Sequence, residues 1–457
     1  MKYLPINDTI KHFASIFTKN GFSLYIVGGA VRDYILDMEI EDYDFTTEAT
    51  PEEVISMFKT TIPTGIKHGT VTVLFEGNSF EVTTFRNDFD YLDGRRPEKV
   101  EFIRSLDEDL KRRDFTINAL AADATTGLIT DNHNGIADLK KKIIKAIGIA
   151  DQRFEEDGLR IMRACRFASK LDFEVEEKTK IAMKEKSSNI KNVSQERIKD
   201  ELFKLLDGKS PQKGLNLLYE SSVLDIILPE LAELKNLKAD GPDKIDAFEH
   251  TLYCIQAAAK HNYPTNVRLA ALFHDIGKAS KEQTESNLKF FYTKNSYCFY
   301  NHEKISEDLT KSILVRLKAS NETIDRVCNL VGHHMFNYSS FWSDGAIKRF
   351  INRVGYKNIN DLFKLRMCNL HAKYDNASWE SLQEFEERID KIISRNEALS
   401  LKDLDINGQD LINLGIQKGP LFSQILNFLL NAVLENPKLN ERYILLDMAN
   451  NFYKSVY

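Results

Sequence analysis

The segment IVGGAVRDYILDMEIEDYDF, residues 26–45, decides the fold of the first part of the chain. The apolar run Leu24–Val27 has the length of a strand, stops at Gly28 and Gly29, and is followed by a helical pattern. Bare backbone amides at such a turn, together with a helix N-terminus, suit a phosphate group. Arg32, one turn into the predicted helix, adds a guanidinium that can pair with phosphate oxygens. Taken alone, two glycines more often mark only a tight turn.

Two carboxylates follow this turn. Asp42 and Asp44 are two residues apart in a segment that predicts a strand, so both side chains leave the same face. Like charges held this close are destabilising unless a cation lies between them, and Mg²⁺ prefers a few carboxylates together with phosphate oxygens. Glu81, which alternates with apolar residues in FEVTTF, is a candidate for a third carboxylate. The alternative is a solvated acidic edge, because other glutamates lie close by.

Strand and helix signals alternate over the first 130 residues and then give way to helices. Thr50–Glu53 predicts a helix start with a capping box, and Thr70–Phe75 and Ser79–Phe85 alternate like the strands of a hairpin. From about Asp138 onward, segments with a 3.6-residue period dominate. The sequence therefore predicts an α+β chain, with a mixed sheet and helices first and helices alone afterwards.

A series of motifs in this region resembles the class II nucleotidyltransferases of the DNA polymerase β superfamily. GGAVRDYIL, EDYDF and TTEATPEEV are followed in order by EVTTFR, DGRRPEKVEF, DLKRRDFTINALA, RFEEDGLRIMRACRFA and SQERIKDEL, and the resemblance covers residues 24–201. That group contains the CCA-adding tRNA nucleotidyltransferases and the bacterial poly(A) polymerases. The resemblance implies a polymerase-β-like head and template-independent addition of CCA to tRNA 3′ ends from CTP and ATP, with release of pyrophosphate. A poly(A) polymerase or A-adding enzyme is the alternative, since the motifs separate these relatives poorly.

The resemblance also assigns roles to single residues. Asp42 and Asp44 would hold two Mg²⁺ ions, and Glu81 would be a third catalytic carboxylate. Without the resemblance, Arg112 and Arg113 would be read as a surface charge cluster. The nucleotide-binding residues that the resemblance implies are Gly28, Gly29, Arg32, Arg113, Asp114, Asp157, Arg160 and Arg163. Among them, the Asp114 carboxylate can accept a hydrogen bond from a ribose 2′-hydroxyl.

The segment EEDGLR carries the most informative pair of side chains. Asp157 and Arg160 are three residues apart on a predicted helix and therefore share a face. Cytosine and adenine both present an exocyclic amine beside an unprotonated ring nitrogen, so a carboxylate can accept from the amine while a guanidinium donates to the nitrogen. Uracil and guanine invert this pattern and are disfavoured. The resemblance implies that this pair is the protein's own template, whereas a salt bridge on a solvated helix is the plainer alternative.

A second constellation occupies the middle of the chain. Six of the ten histidines lie between residues 250 and 334, and one belongs to ALFHDIGK. This pattern resembles an HD domain, the helical fold of metal-dependent phosphohydrolases, and implies that a divalent metal is bound by a subset of His250, His274, Asp275, His302, His333 and His334. The last acidic ligand of the pattern is expected near RMCNLHA, where Asn369 is a neutral and poorer ligand. A phosphohydrolase acting on RNA ends or cyclic phosphates is therefore a further alternative, with its activity open.

These patterns divide the chain into four predicted parts. They are a nucleotidyltransferase head (1–137), a helical neck for nucleotide templating and RNA binding (138–235), an HD domain (245–380) and a helical tail (381–457). The polar segment 86–104 resembles the family's mobile loop beside the site, and a charged linker is predicted at 235–244. A non-catalytic RNA-binding protein is disfavoured, because a degenerate enzyme would be expected to lose Asp42 and Asp44 first.

The charge distribution refines what composition alone suggests. The 62 basic and 68 acidic side chains sum to −6, which argues mildly against a nucleic-acid partner. Residues 1–94, however, carry 7 basic and 15 acidic side chains, whereas residues 95–216 carry 26 and 22. The acidic front contains the predicted metal carboxylates, and the basic stretch overlaps the segment expected to meet nucleotide and tRNA.

Composition also excludes several classes of protein. No run of about 20 apolar residues occurs, so no membrane span is expected, and the polar start lacks the centre of a signal peptide. The five cysteines are scattered and include no C-x-x-C pair, which disfavours a disulfide framework or a thiolate zinc site. The sequence therefore predicts a protein of the reducing cytoplasm.

Overall fold

The computed structural model describes residues 2–89, 99–237, 245–279, 301–373 and 379–456. The strands are β1 (Leu24–Val27), β2 (Asp44–Thr47), β3 (Thr61–Gly65), β4 (Thr70–Phe75), β5 (Asn78–Thr84), β6 (Arg86–Phe89), β7 (Lys99–Phe102), β8 (Ala121–Asp123), β9 (Ile129–Thr130), β10 (Ile143–Ile144) and β11 (Glu174–Val175). The centre of the predicted loop, residues 90–98, and most of the predicted linker, residues 238–244, lie outside the described residues.

Helices make up most of the chain after the head. They are α1 (Asp8–Lys19), α2 (Gly29–Ile35), α3 (Pro51–Met57), α4 (Leu106–Lys111), α5 (Gly135–Lys141), α6 (Ala150–Glu156), α7 (Leu159–Leu171), α8 (Glu177–Glu185), α9 (Gln195–Leu206), α10 (Pro211–Glu220), α11 (Leu224–Ile227), α12 (Pro229–Ala232), α13 (Ala247–Lys260), α14 (Thr265–Phe273), α15 (His302–Arg316), α16 (Asn321–His333), α17 (Asp344–Val354), α18 (Tyr356–Lys373), α19 (Glu380–Ser394), α20 (Gly408–Asn413), α21 (Pro420–Glu435) and α22 (Arg442–Val456). Within the described ranges, none of them is both long and apolar enough to cross a membrane.

The head is built on a mixed sheet of seven strands in the order β3-β4-β5-β2-β1-β8-β9. Only β2 and β5 run parallel, and the other neighbours in this sheet are antiparallel. The predicted hairpin is confirmed as β4 and β5, and Thr50 caps α3 with the predicted capping box. The mixed sheet followed by helices confirms the α+β prediction.

The register of this sheet gathers the predicted carboxylates at one place. Val27, the last residue of β1, is paired with Asp44, and Asp44 is paired in parallel with Glu81 of β5. The prediction that Asp42 and Asp44 share a strand is wrong, because β2 begins at Asp44. Val27 is the last residue of β1, and the chain turns away at Gly28. The residues before Asp44 therefore have no residue of β1 opposite them.

Aromatic side chains from α1 and the sheet form much of the head's core. The Phe13 ring lies in the middle, with centroids of neighbouring rings 4.8–5.4 Å away. The rings it contacts belong to Phe17, Phe45, Phe58, Phe75 and Phe80. Such edge-to-face and tilted contacts add about 0.5–1.5 kcal/mol per pair beyond burial, so they hold α1 firmly against the strands that carry the site.

The chain divides into two compact units. The N-terminal unit comprises Met1–Glu233 with Arg316–Ala319, and the C-terminal unit comprises Leu234–Val315 with Ser320–Tyr457. The C-terminal unit is helical throughout its described residues. Each unit contains one group of the residues predicted to be functional.

Candidate nucleotide site and a buried histidine cluster

One cleft in the N-terminal unit, with a volume of about 920 Å³, is lined by every residue predicted for the nucleotide site. We call it the nucleotide cleft. Its predicted residues come from the β1–α2 turn, from β2 and β5, and from the segments around α4 and α7. They are Gly28, Gly29, Arg32, Asp42, Asp44, Glu81, Arg113, Asp114, Asp157, Arg160 and Arg163.

The glycine turn forms one edge of the cleft. Gly28 has φ 67°, in the left-handed region that favours glycine, and a Cβ there would lie 3.2 Å from Arg113 Nη1. Helix α2 begins at the next residue. Arg32 is buried, donates to both carboxylate oxygens of Asp33, and places Nη1 2.7 Å from Asn118 Oδ1. The turn is therefore preorganised, and the Arg32 guanidinium is already held by protein acceptors.

The three carboxylates predicted to bind metal are accessible to solvent on the cleft wall. Asp44 and Glu81 are neighbours in the sheet, and Asp42 lies just before the strand. The pKa of Asp44 is raised above its ordinary value, chiefly because the surrounding protein desolvates it; Arg113 opposes this rise and Asp42 adds to it. A raised carboxylate pKa beside a second carboxylate is the electrostatic setting in which a cation is favourable, so these residues fit a divalent metal.

Asp114 organises the arginines at the centre of the cleft. Its Oδ1 accepts from Phe115 N at 2.8 Å and Asn118 Nδ2 at 3.0 Å, while Oδ2 lies 2.6 Å and 2.7 Å from two nitrogens of Arg163. Burial alone would raise the pKa of Asp114, but Arg163 and Asn118 outweigh it and lower this pKa to about 2. All four acceptor positions are used, so a ribose hydroxyl could bind Asp114 only by replacing one of these donors.

A second buried carboxylate, Asp109, holds the arginines that precede Asp114. Asp109 Oδ1 lies 2.7 Å from Arg112 Nη2, and Asp109 Oδ2 lies 3.5 Å from Arg113 Nη2. Asp109 is fully buried, and it also accepts from the backbone N–H of Arg86 at 3.3 Å. Sequence reasoning missed this residue, although DLKRRD spaces it three and four positions before the two arginines on a helix.

The prediction that Asp157 and Arg160 share one helix is wrong. Helix α6 ends at Glu156, Asp157 has an extended backbone (φ −149°, ψ 106°), and α7 begins at Leu159. The extended Asp157 separates the two helices, whereas Gly158 has helical angles (φ −57°, ψ −23°) and packs so closely that a Cβ there would lie 2.6 Å from the Asn189 carbonyl group. Both side chains nevertheless line the cleft.

The break gives these two side chains different partners. Asp157 Oδ2 accepts from Arg197 Nη2 at 2.7 Å, and its Oδ1 accepts from the N–H of Leu159 at 3.0 Å. Arg160 pairs with Glu156 at 2.5 Å and donates to the carbonyl of Arg112 at 2.9 Å. The plainer alternative, a salt bridge between Asp157 and Arg160 themselves, is absent from the ion pairs of the described residues.

The cleft is also lined by basic side chains to which the sequence assigned no role in nucleotide binding. They are Arg86, Arg166, Lys170, Arg197 and Lys204; Arg112, from the motif that resembles the family's ribose and triphosphate segment, lines the cleft as well. Helical spacing could have identified two of these residues. Lys170 follows Arg163 by two turns on α7, and Lys204 follows Arg197 by two turns on α9. Arg166 stacks over the Phe167 ring at 4.0 Å and pairs with Glu201 at 2.6 Å.

A buried group in the C-terminal unit contains five of the six residues predicted for the HD site. We call His250, His274, Asp275, His302 and His334 the histidine cluster; each is at most 2% exposed. Asp275 Oδ2 lies 3.2 Å from His274 Nε2, and Asp275 Oδ1 lies 3.2 Å from His302 Nε2. The Nε2 atoms of His302 and His334 are 3.3 Å apart.

Backbone contacts fix which ring nitrogens face the centre of the cluster. His274 Nδ1 lies 2.9 Å from the Ala271 carbonyl and His334 Nδ1 lies 2.7 Å from the Val331 carbonyl. Because a carbonyl only accepts, each Nδ1 carries the proton and each Nε2 presents a lone pair. Desolvation lowers the pKa of His334 well below its ordinary value, which keeps this ring neutral.

These contacts test whether the cluster fits a metal. His274 Nε2 is buried, finds no hydrogen-bond partner within the described part of the chain, and faces an acceptor oxygen of Asp275. Two facing acceptors need a cation or a proton between them. The Lys278 ammonium supplies one positive charge, 2.9 Å from Asp275 Oδ2. The donor set of imidazoles and one carboxylate fits a divalent transition metal.

His333 does not join this cluster. It is half-buried, its Nδ1 contacts the Asn329 carbonyl at 2.8 Å, and it is absent from the convergent ligand groups found among the described residues. His333 and His334 are consecutive at the end of α16 and point in directions about 100° apart, so the structure brings only His334 to the cluster. Asn369, the neutral residue predicted near the last ligand position, is buried on α18.

The sheet, the glycine turn, the carboxylates of β2 and β5 and the arginine-rich cleft have the arrangement expected of the nucleotidyltransferase class. The family model for the Poly A polymerase head domain matches residues 24–145. The model described as "Probable RNA and SrmB- binding site of polymerase A" matches residues 172–235, and a domain 2 model of tRNA nucleotidyltransferases matches residues 292–449.

Curated relatives specify the family within this class. The chain is 33% identical to the CCA-adding enzyme of Ligilactobacillus salivarius over 452 residues, which is 98% of this chain and 95% of that protein. It is 49% identical to the CCA-adding enzyme of Lactobacillus helveticus over 237 residues, which is 52% of this chain and 57% of that relative. The chain thus spans a little over half the length of several curated relatives that it matches, and nearly all of the Ligilactobacillus salivarius protein. It belongs to the CCA-adding enzyme family.

Solved structures agree with this assignment. The crystal structure of the Bacillus stearothermophilus CCA-adding enzyme in complex with CTP superposes with a TM-score of 0.75 at 27% identity and full coverage of both chains. The Thermotoga maritima CCA-adding enzyme complexed with tRNA_CCA shares the fold, with a TM-score of 0.55 over 97% of this chain and 94% of that one.

Proposed function

We propose that this protein adds the CCA sequence to tRNA 3′ ends, using CTP and ATP and releasing pyrophosphate. The observation that carries the proposal is the convergence of all eleven predicted nucleotide-site residues on one cleft. The relatives and solved structures named above are CCA-adding enzymes, so neither a poly(A) polymerase nor a phosphohydrolase is favoured as the main activity. The same relationship supports a cytoplasmic protein with tRNA as its partner.

Asp42, Asp44 and Glu81 are the proposed catalytic carboxylates. Asp42 and Asp44 would hold Mg²⁺, as the raised pKa of Asp44 and the exposure of all three side chains support. Two bound ions would activate the RNA 3′-hydroxyl and neutralise the pyrophosphate leaving group. The protein's own contribution is to fix these carboxylates beside the glycine turn, where the N-terminus of α2 and Arg113 face the triphosphate.

Asp157 and Arg160 are the proposed readers of the base. Arg197 and the Leu159 N–H hold the Asp157 carboxylate, and Glu156 and the Arg112 carbonyl hold the Arg160 guanidinium. A carboxylate accepts from the amine of cytosine or adenine, and a guanidinium donates to the adjacent ring nitrogen. Holding both groups before the nucleotide arrives reduces the entropy lost on binding, so the fixed pair would discriminate against UTP and GTP.

The remaining basic residues of the cleft are proposed to meet RNA and triphosphate. Arg166, Lys170, Arg197 and Lys204 come from α7 and α9, within or beside the segment matched by the RNA-binding model. The division into head, neck, HD domain and tail fits these assignments, with the neck supplying this basic surface. The histidine cluster is proposed to bind a divalent metal, because imidazole lone pairs and Asp275 converge in a buried space.

The direct test is nucleotide incorporation into a tRNA transcript that lacks its CCA end. Purified protein with Mg²⁺ should add two cytidines from CTP and one further adenosine when ATP is present. Asp42→Asn should lower the rate by about 10³-fold or more, because two-metal catalysis depends on this carboxylate. Glu39→Gln, a nearby exposed position that does not line the cleft, is the matched control and should retain activity. Incorporation of adenosine alone would contradict the proposal and favour a poly(A) polymerase.

A further inference from the structure

Cys254 lies beside the histidine cluster. It follows His250 by four residues on α13, so both side chains share one face of the helix. Cys254 Sγ is 3.5 Å from His250 Nε2. The sulfur and one nitrogen each from His250 and His274 all lie within 4.8 Å of one another, and all three side chains are buried.

We propose that Cys254 is a metal ligand, and that His250, Cys254, His274 and Asp275 form a thiolate-containing site for an ion of the Zn²⁺ class. This proposal rests on the proposed function of the histidine cluster as a metal site. It goes beyond that function because it specifies a sulfur ligand, and with it the kind of metal.

Three of the distances between the proposed donor atoms are close to those around a tetrahedral ion. Zn–S bonds of about 2.3 Å and Zn–N bonds of about 2.0–2.1 Å place a sulfur and a nitrogen ligand about 3.5–3.6 Å apart. The distance between Cys254 Sγ and His250 Nε2 is 3.5 Å. Two nitrogen or oxygen ligands should lie about 3.3–3.4 Å apart, and His274 Nε2 lies 3.2 Å from Asp275 Oδ2. His250 Nε2 is 3.8 Å from the same oxygen, so these three distances need only a small contraction to reach those values.

A sulfur ligand decides which metal this position prefers. Thiolates bind Zn²⁺ and other borderline or soft ions strongly, whereas Mg²⁺ prefers oxygen ligands alone. The Cys254 thiol gives up its proton to solvent when the metal–sulfur bond forms. Two imidazoles, one thiolate and one carboxylate oxygen complete four-coordination, so this position has no place for a water molecule and stabilises the fold rather than hydrolysing phosphates.

Cobalt substitution of the full-length protein tests the sulfur ligand. After removal of bound metal with a chelator, Co²⁺ should bind and produce the near-ultraviolet charge-transfer absorption of a thiolate–cobalt bond. Cys254→Ser should lose this absorption and bind Zn²⁺ at least about tenfold more weakly. Cys328→Ser is the matched control, because Cys328 is also a buried cysteine of this unit but is absent from the convergent ligand groups of the described residues.

X-ray absorption at the zinc edge of the wild-type protein gives a second measurement that needs no variant. It should show one sulfur at about 2.3 Å together with nitrogen or oxygen at about 2.0–2.1 Å. Metal bound with only nitrogen and oxygen neighbours would overturn the Cys254 assignment while leaving the proposed metal cluster intact. Failure to bind Zn²⁺ or Co²⁺ at all would overturn both, and would leave Lys278 as the cation that neutralises Asp275.

Discussion

The nucleotide cleft and the histidine cluster use charged and titratable side chains in opposite surroundings. Asp42, Asp44 and Glu81 are open to solvent on the wall of a large cleft, whereas every member of the histidine cluster is at most 2% exposed. Solvent can stabilise the cleft carboxylates when no ligand is bound. The cluster has no such solvent, so its charges must be balanced by one another, by Lys278 or by a metal.

This difference predicts how substitutions should act in the two regions. Removing an exposed cleft carboxylate should cost function and little stability, because water replaces the lost neighbours. Removing a member of the buried cluster should cost stability, because it leaves other polar groups buried and unpaired. Three predictions test this contrast, from the largest expected effect to the smallest.

The largest effect on stability is expected for Asp275→Asn. Lys278 is 2% exposed, and this substitution removes the carboxylate 2.9 Å from its buried ammonium, at a cost of about 3–5 kcal/mol in the free energy of unfolding. Urea unfolding followed by tryptophan fluorescence measures this cost, since both tryptophans, Trp342 and Trp379, belong to the C-terminal unit.

Two further variants keep the Asp275 measurement interpretable. Asp308→Asn, an exposed position on α15, should change the free energy of unfolding by less than about 0.5 kcal/mol. The double variant Asp275→Asn with Lys278→Met should recover part of the loss, because both charges are then absent. If Asp275→Asn unfolds at the same urea concentration as the wild type, the proposed contrast between the two regions is contradicted.

A smaller effect, on base choice, is expected for Asp157→Ala. Without the carboxylate that accepts from the base amine, the preference for CTP over UTP should fall by about 10²-fold, while tRNA binding should change little. Single-nucleotide addition with CTP and UTP in competition measures this ratio. Asp151→Ala removes the same charge from α6 without lining the cleft, and it should keep full discrimination. Unchanged preference in Asp157→Ala would contradict the assignment of Asp157 as a reader of the base.

The smallest effect, on the free energy of unfolding, is expected for a change at Asp114. This residue lines the nucleotide cleft but is buried, as the members of the histidine cluster are. Its pKa is lowered to about 2 by Arg163 and Asn118, so its ionised form should contribute about 2 kcal/mol to stability. Because the folded-state pKa is depressed, this contribution is complete above about pH 4 and is lost as the pH falls from about 4 towards 2.

Comparing Asp114→Asn with the wild type across pH measures this contribution. The two free energies of unfolding, followed by far-ultraviolet circular dichroism, should differ by about 2 kcal/mol at pH 7 and converge only below about pH 2. The exposed Asp8→Asn should show no such pH dependence. A constant difference at every pH would mean that Asp114 acts by packing rather than by charge.

Local signals explain what the sequence predicted well. The glycine turn and the capping box at Thr50 depend on neighbours within a few residues. The identity of the cleft residues was predicted by their motif order. The strand at Asp42 and the single helix through Asp157 and Arg160 were wrong, because β1 ends at Val27 opposite Asp44 and because Asp157, which pairs with Arg197, has an extended backbone.

The sequence by itself determined the kinds of chemistry available to this protein: paired carboxylates after a glycine turn, an arginine-rich helix, and histidines spaced over several helices. Only the tertiary structure decided the partners. It paired Asp44 with Glu81, joined Asp157 to Arg197, brought Cys254 to the histidine cluster and excluded His333 from it. Each of these outcomes depends on the packing of segments distant in sequence, or on the direction a side chain takes from its helix, and spacing along the chain alone does not encode either.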